Sequence, residues 1–347
     1  MVVIGHAGTG AGHFYGAGPW VDMFRVGNIG VDFFFVLSGF IIFYAHADDP
    51  PGRAAWGSYV AKRITRVYLP YWPIGLAMLA ATLVFAGLSE SGERRDVSVL
   101  SSVFLIPQDG TSHLGTTALS VAWTLIWEVM FYTIFSAFFF LRRAFPWLMF
   151  GWAAAVLAAM ALIPEAITSR YWSPVGMYNL EFLAGMGVCW LVRNVPLVHT
   201  PAVRWGASAV GGTMFMVFLA TFMAGRPLAA GVLEVVYLAT AFGLLVLGVG
   251  QARLRPTRPL MRAAVFIGAA SYALYLVHDP ALSVLNRIAR LAAGEVPAPV
   301  LLVVLIVAAV TMGCLYHLWI ERPLIAAARA GMRRWPLTAA LGLKPAG

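Results

Sequence analysis

Apolar residues fill runs of roughly twenty positions, and short stretches between the runs hold most of the charge. Neither the two-residue alternation of a half-buried strand nor the single stripe of a surface helix organises them. A helix needs about 20 apolar residues to cross a bilayer. The runs predict spanning helices over 29–47, 69–88, 121–141, 147–163, 177–192, 204–224, 228–249, 264–284 and 299–320. Residues 1–14 are apolar but too short to cross, with neither the basic leader nor the clear cleavage site of a signal peptide. They read as the outer part of a first helix whose beginning is missing. The expected fold is all-α: a polytopic membrane helix bundle of about ten transmembrane helices, the first incomplete. The expected division is a membrane domain over 1–322 and a basic cytoplasmic tail over 323–347.

Composition narrows the class. Only 11% of the 347 residues are charged and 61% are hydrophobic, against roughly 25% charged in a soluble domain. That excludes a pair of soluble domains, a disordered chain, a disulfide scaffold and a nucleic-acid-binding domain. The net charge of +9 therefore reports topology and anionic headgroups. Seventeen Lys and Arg fall in 48–68, 142–146, 193–204, 250–263 and the tail, and seven in the alternate segments. By the positive-inside rule the first set, with the C-terminus, is cytoplasmic. Cys189 and Cys314 sit inside apolar spans, so no structural disulfide is expected. The longest outer segment, about 89–120, either caps the outer face or dips into it.

Ionisable residues inside such runs ask for a reason. One at mid-bilayer costs roughly 2.5–3.5 kcal/mol and persists when it pairs, faces a wet cavity or does chemistry. The candidates are His6, Asp32, Glu128, Glu181, Glu234 and His278, with Asp279 beside the last. The topology sets His6, Asp32, Glu128, Glu181 and His278 in the outer half, with Glu128 seven residues into its helix, roughly 10 Å deep. Thr124, Glu128 and Tyr132 share one helical face, as do Ser271, Tyr275 and His278. Asp32, Glu181 and His278 lie near helix ends, where reaching interfacial water is an equal alternative. Glu128, among Trp123, Trp127 and Phe131, needs a partner. Glu234 has no motif around it and reads as structural.

On the cytoplasmic side, Lys62-Arg63-Ile64-Thr65-Arg66 opens the third span. Arg63 and Arg66 are one turn apart and can face one anion, since guanidinium grips phosphate with a bidentate fork. On spacing alone, ordinary positive-inside anchoring is the better explanation. Gly8, Gly10 and Gly12 follow no strand, which argues against a dinucleotide loop. His6 and His13 have no acidic or Cys companion and make a poor metal site. Ser38-Gly39 is most simply a place where two helices pack closely.

Several segments together resemble the acyltransferase-3 family of integral membrane acyltransferases. Gly30-Val-Asp-Phe-Phe-Phe-Val-Leu-Ser-Gly-Phe40 matches its G-V-D-x-F-F-x-x-S-G-F signature. Lys62-Arg63-Ile-Thr-Arg66 with Tyr68-Leu-Pro70 resembles its R-x-x-R-x-x-P region. Trp123-Thr-Leu-Ile-Trp-Glu128-Val-Met-Phe-Tyr132 resembles its W-T/S-L-x-x-E-x-x-F-Y helix. Ser271-Tyr-Ala-Leu-Tyr-Leu-Val-His278 resembles S-Y-x-x-Y-L-x-H, and Glu321-Arg-Pro323 the closing E-x-P. The motifs come in order over nearly the whole chain. The single Glu after Trp-Thr-Leu, with Asn179-Leu-Glu181-Phe, is similar to the branch that decorates exopolysaccharides. The family usually has a basic residue eleven positions before the first-helix His, and His6 leaves no room for it.

The resemblance implies transfer of an acyl group, commonly acetyl, from acyl-CoA to a sugar hydroxyl of a polysaccharide or lipid-linked glycan at a bacterial inner membrane. It gives His6, Glu128 and His278 catalytic roles. His6 is the general base, or accepts the acyl group first, and Glu128 orients it or stabilises its charged form. It places Lys62, Arg63, Arg66, Asp32, Ser38, Trp123, Glu181 and Tyr275 at the substrates, with the basic cluster on the CoA phosphates. No metal is implied. A transporter or flippase that moves a glycan or acyl intermediate without making a bond is the rival, and a non-catalytic subunit of a polysaccharide complex a third reading. Inverted repeats of broken helices would favour the transporter.

Overall fold

The computed structural model describes residues 1–15, 26–85, 97–107, 117–163, 174–226, 228, 231–250, 257–292 and 297–334. Every regular element among them is helical. Six helices are long and apolar enough to cross a membrane, seven if the bent pair Pro259–Ala269 and Ser271–Ala289 is one span. The protein is multi-pass.

The chain forms two compact units. The first holds residues 1–28, 53–126 and 256–347, and the second 29–52 and 127–255. In the first unit lie α1 (Val2–Tyr15), α2 (Arg53–Phe85) and the short α3 (Val99–Phe104). Later come α4 (Pro259–Ala269), α5 (Ser271–Ala292), α6 (Ala298–Tyr316), a wide π turn (His317–Glu321) and α7 (Arg322–Arg334). Helix α1 packs on α5 and α6, α5 packs on α6, and α7 packs on α2. Ala7, between Gly5 and Gly8, is fully buried; these small side chains let α1 lie close to its neighbours.

Two features depart from the expected spans. Helix α2 begins sixteen residues before the apolar run, so the basic cluster lies within a helix and does not open one. Arg, Ala and Lys are good helix formers, and charge marks a membrane boundary without ending a helix. The span expected at 264–284 is broken by a 71° bend between Ala269 and Ser271, at the small residues Gly268, Ala269 and Ala270. Residues 97–107, in the segment expected on the outer side, lie along α2: Tyr68, Tyr71 and Trp72 of α2 donate to the carbonyls of Phe104, Ser102 and Val103 at 2.7, 2.5 and 3.0 Å. Trp72 is thirteen residues, roughly 20 Å, back along α2 from Phe85. Residues 86–96 and 108–116 lie outside the described residues.

In the second unit the helices Gly30–His46 and Tyr178–Asn194 run against each other. A Cβ on Gly39 would stand 2.0 Å from the Phe182 carbonyl oxygen, and one on Gly185 would stand 1.9 Å from that of Val36. Only glycine permits this approach. The close-packing expectation at Ser38-Gly39 therefore falls on Gly39, with Ser38 half-buried beside it. Val232–Val249 packs on both helices and on Pro201–Met223. Phe131 stacks on Phe182 with centroids 4.1 Å apart. Arg142 donates to the carbonyls of Ala47 and Asp49, a cation at the negative end of the Gly30–His46 helix.

Candidate active site

Helix α5 carries the first unit's site on one face. Tyr272, Tyr275 and Asp279 are spaced i, i+3, i+7, so they stack over two turns. Tyr272 donates to the Val67 carbonyl at 2.8 Å, and its ring lies 5.1 Å from the Arg66 guanidinium carbon. One turn on, the Tyr275 hydroxyl donates to the Val121 carbonyl at 2.9 Å and meets the Thr124 hydroxyl at 2.7 Å. A further turn brings Asp279 to His6. Seven residues separate Tyr272 from Asp279, roughly 10 Å of helix.

Asp279 accepts from His6 Nδ1 at 3.2 Å through one oxygen and from the Ser120 hydroxyl through the other. Ser120 opens the turn Ser120–Ala122 that leads into the helix Trp123–Phe135. A carboxylate on Nδ1 fixes the proton there and leaves the Nε2 lone pair as the basic site. The His6 side chain is about one-third exposed. A base so held takes a proton from a hydroxyl, and the carboxylate stabilises the imidazolium that results.

His278 is fully buried. Its Nδ1 lies 2.7 Å from the Tyr275 carbonyl oxygen and 3.2 Å from that of Leu274. Carbonyls only accept, so Nδ1 carries the proton. Nε2 then holds a lone pair, without a partner among the described residues. The His6 ring meets His278 edge-on, centroids 4.9 Å apart at 87°. Two imidazole rings thus share one neighbourhood.

At the other end of the stripe the cluster splits. Lys62 is exposed and Arg63 half-buried, its guanidinium carbon 6.0 Å from the Tyr59 ring centre. Arg66 pairs with Glu321 at 2.5 Å.

The second unit holds the other expected carboxyls. Glu128 accepts from the Tyr132 hydroxyl one turn on, and the carboxylate that meets His6 within the first unit is Asp279. Asp32 and Glu181 face each other carboxyl to carboxyl. Glu181 is fully buried, and neither of its oxygens meets an N–H or O–H donor among the described residues. A hydrogen bond between the two needs a proton on one of them. Trp123 is half-buried at its helix start, in the first unit.

Sequence reasoning missed two partners. Asp279 was visible beside His278, but neighbours on a helix point about 100° apart, and the pattern does not say which one meets α1. Glu321 stood in the closing motif; a buried carboxylate asks for a cation, and that cation is Arg66.

A family model described as an acyltransferase domain, that of acyltransferase-3, matches residues 1–319. The chain belongs to the acyltransferase-3 family. As an acyltransferase-3 member it is 30% identical over 323 residues to the exopolysaccharide production protein ExoZ of Rhizobium meliloti (strain 1021), covering 91% of this chain and 95% of that one. It is 25% identical over 345 residues to the acyltransferase MdmB of Streptomyces mycarofaciens, covering 86% and 81%. No solved structure matches it. The acyltransferase-3 match takes in His6, Ser120, His278 and Asp279 and ends two positions before Glu321.

Proposed function

We propose that this membrane acyltransferase transfers an acyl group, commonly acetyl, from acyl-CoA to a sugar hydroxyl of an exported or cell-surface polysaccharide. The observation that carries the reading is the joining of two chemistries by α5: a cationic end at Arg66 and a His6–Asp279–Ser120 end about 10 Å along the helix. A long, thin thioester donor with phosphates at one end fits that layout. The likeness to ExoZ, named for exopolysaccharide production, supports the acceptor class.

In the proposed step, His6 Nε2 removes the acceptor hydroxyl proton as the oxygen attacks the thioester carbonyl. The carbon–sulfur bond breaks, and the thiolate leaves with the proton that the imidazolium returns. Asp279 positions His6 throughout. General-base help of this kind contributes roughly 10²–10⁴-fold. Lys62, Arg63 and Arg66 bind the donor phosphates. Tyr275 and His278, on the same helix as Asp279, hold the acceptor or the thioester. The charge alternation supports ten spans in a bacterial cytoplasmic membrane, with the C-terminus cytoplasmic.

The test is acetylation by the full chain in vesicles, with acetyl-CoA as donor and mass spectrometry of the polysaccharide. His6→Ala is expected to abolish acetyl incorporation. Near-normal turnover in that variant would remove the base. Export of unmodified polymer by the wild type, with no acetyl added, would favour the transporter.

A further inference from the structure

Glu321 lies past the matched family range and outside the proposed chemistry, yet it is fully buried. It ends the π turn His317–Glu321, a widened turn of the kind common at functional sites. That turn places both ends of its carboxylate in contact. One oxygen takes a hydrogen bond from His317 Nδ1 at 2.6 Å, and the other from Arg66 at 2.5 Å. The Tyr272 ring covers a face of the same guanidinium. Arg66 is thus gripped at its edge and at its face, while 44% of its side chain remains exposed.

A guanidinium has five N–H donors. Among the described residues one of these is bonded to a protein oxygen, that of Glu321. The others share that fixed plane, on a side chain that is nearly half exposed. A free arginine must surrender many rotamers when it binds an anion, and one already fixed does not. We infer that Glu321, steadied by His317, is a positioning residue that sets Arg66 as a ligand for a phosphate of the donor. The inference rests on the proposed acyl-CoA donor.

The test compares acetyl-CoA with acetyl-pantetheine, which lacks the diphosphate, on the full chain in vesicles. Glu321→Gln is expected to raise KM for acetyl-CoA about tenfold, the loss of one charge-assisted hydrogen bond's worth of positioning, with kcat within about twofold. KM for acetyl-pantetheine stays unchanged, so the preference for the phosphate-bearing donor collapses. Arg66→Gln gives the same split, and the double variant is no worse than Arg66→Gln alone. Glu321→Asp restores part of the preference, and His317→Gln shifts KM the same way by less; both serve if Glu321→Gln does not fold. Unchanged acetyl-CoA KM in Glu321→Gln, or in both milder variants, while Arg66→Gln is impaired, overturns the inference and leaves the donor reading standing. Unchanged KM in both Arg63→Gln and Arg66→Gln, or a wild type indifferent to the two donors, removes the donor reading itself.

Discussion

His6 and Asp279 are 273 positions apart in the chain and meet at 3.2 Å. Their contact joins the first helix to the third turn of α5, and Ser120 completes it from a third element. Replacing Asp279 by Asn keeps the size but lets an amide face Nδ1, where either ring tautomer is accepted. Turnover is expected to fall roughly 10²-fold or more, as for other His-orienting carboxylates. Ser120→Ala removes one hydrogen bond to a charged group and is expected to cost about tenfold. Initial rates with acetyl-CoA check both, and an unaffected Asp279→Asn would break the link between this geometry and turnover.

The Asp32–Glu181 pair makes a stability prediction. In Glu181→Gln the amide donates to Asp32 without a shared proton, so the melting temperature is expected to hold or rise. Glu181→Ala leaves a cavity and a solitary Asp32, and is expected to lose about 2–5 kcal/mol. Thermal unfolding of both variants in the same detergent reads the difference. Equal losses would mean that the carboxyl contact does nothing for the fold.

Gly39 and Gly185 predict a steric result. An alanine methyl at either position meets a backbone oxygen at 2.0 or 1.9 Å, and backbone cannot swing aside. Each Gly→Ala change is expected to cost about 1–3 kcal/mol or more by forcing two helices apart. Gly187→Ala, with open space at its Cβ, is the matched control and is expected to be neutral. Similar melting temperatures in all three would contradict the packing.

Tyr71→Phe tests the contact of residues 97–107 with α2. It deletes a donor to the carbonyl of buried Ser102 and leaves that oxygen unpaired, at a cost of about 1–3 kcal/mol. Hydrogen exchange over residues 97–107 is expected to speed up in Tyr71→Phe, with exchange over Val232–Val249 unaltered. Protection unchanged at 97–107 would show that the hydroxyl does not hold the segment.

Hydropathy placed several helices within a few residues, because the bilayer enforces length on apolar runs. The runs at 29–47 and 147–163 became Gly30–His46 and Phe145–Leu162. It failed where length is set by something else. Arg53–Arg66 extends a helix beyond its apolar part, and the bend at Ala270 interrupts a run whose apolar residues continue on both sides of it. His6, His278 and Arg66 were legible because ionisable groups in or beside such runs are costly. Their partners were not. Asp279 and Glu321 lie 273 and 255 positions from His6 and Arg66, and which side of a helix faces which neighbour is a property of the assembled unit.

Tyr272 and Asp279 belong to the same two turns of α5, before Pro280. Rigid backbone therefore fixes the interval between the two positions that meet Arg66 and His6, like marks on a gauge. One residue inserted after Tyr275 would swing the outer mark by about 100° while the inner mark stays put. A longer interval between the two cannot come from stretching this length of chain; any such adjustment must come from the elements that surround it.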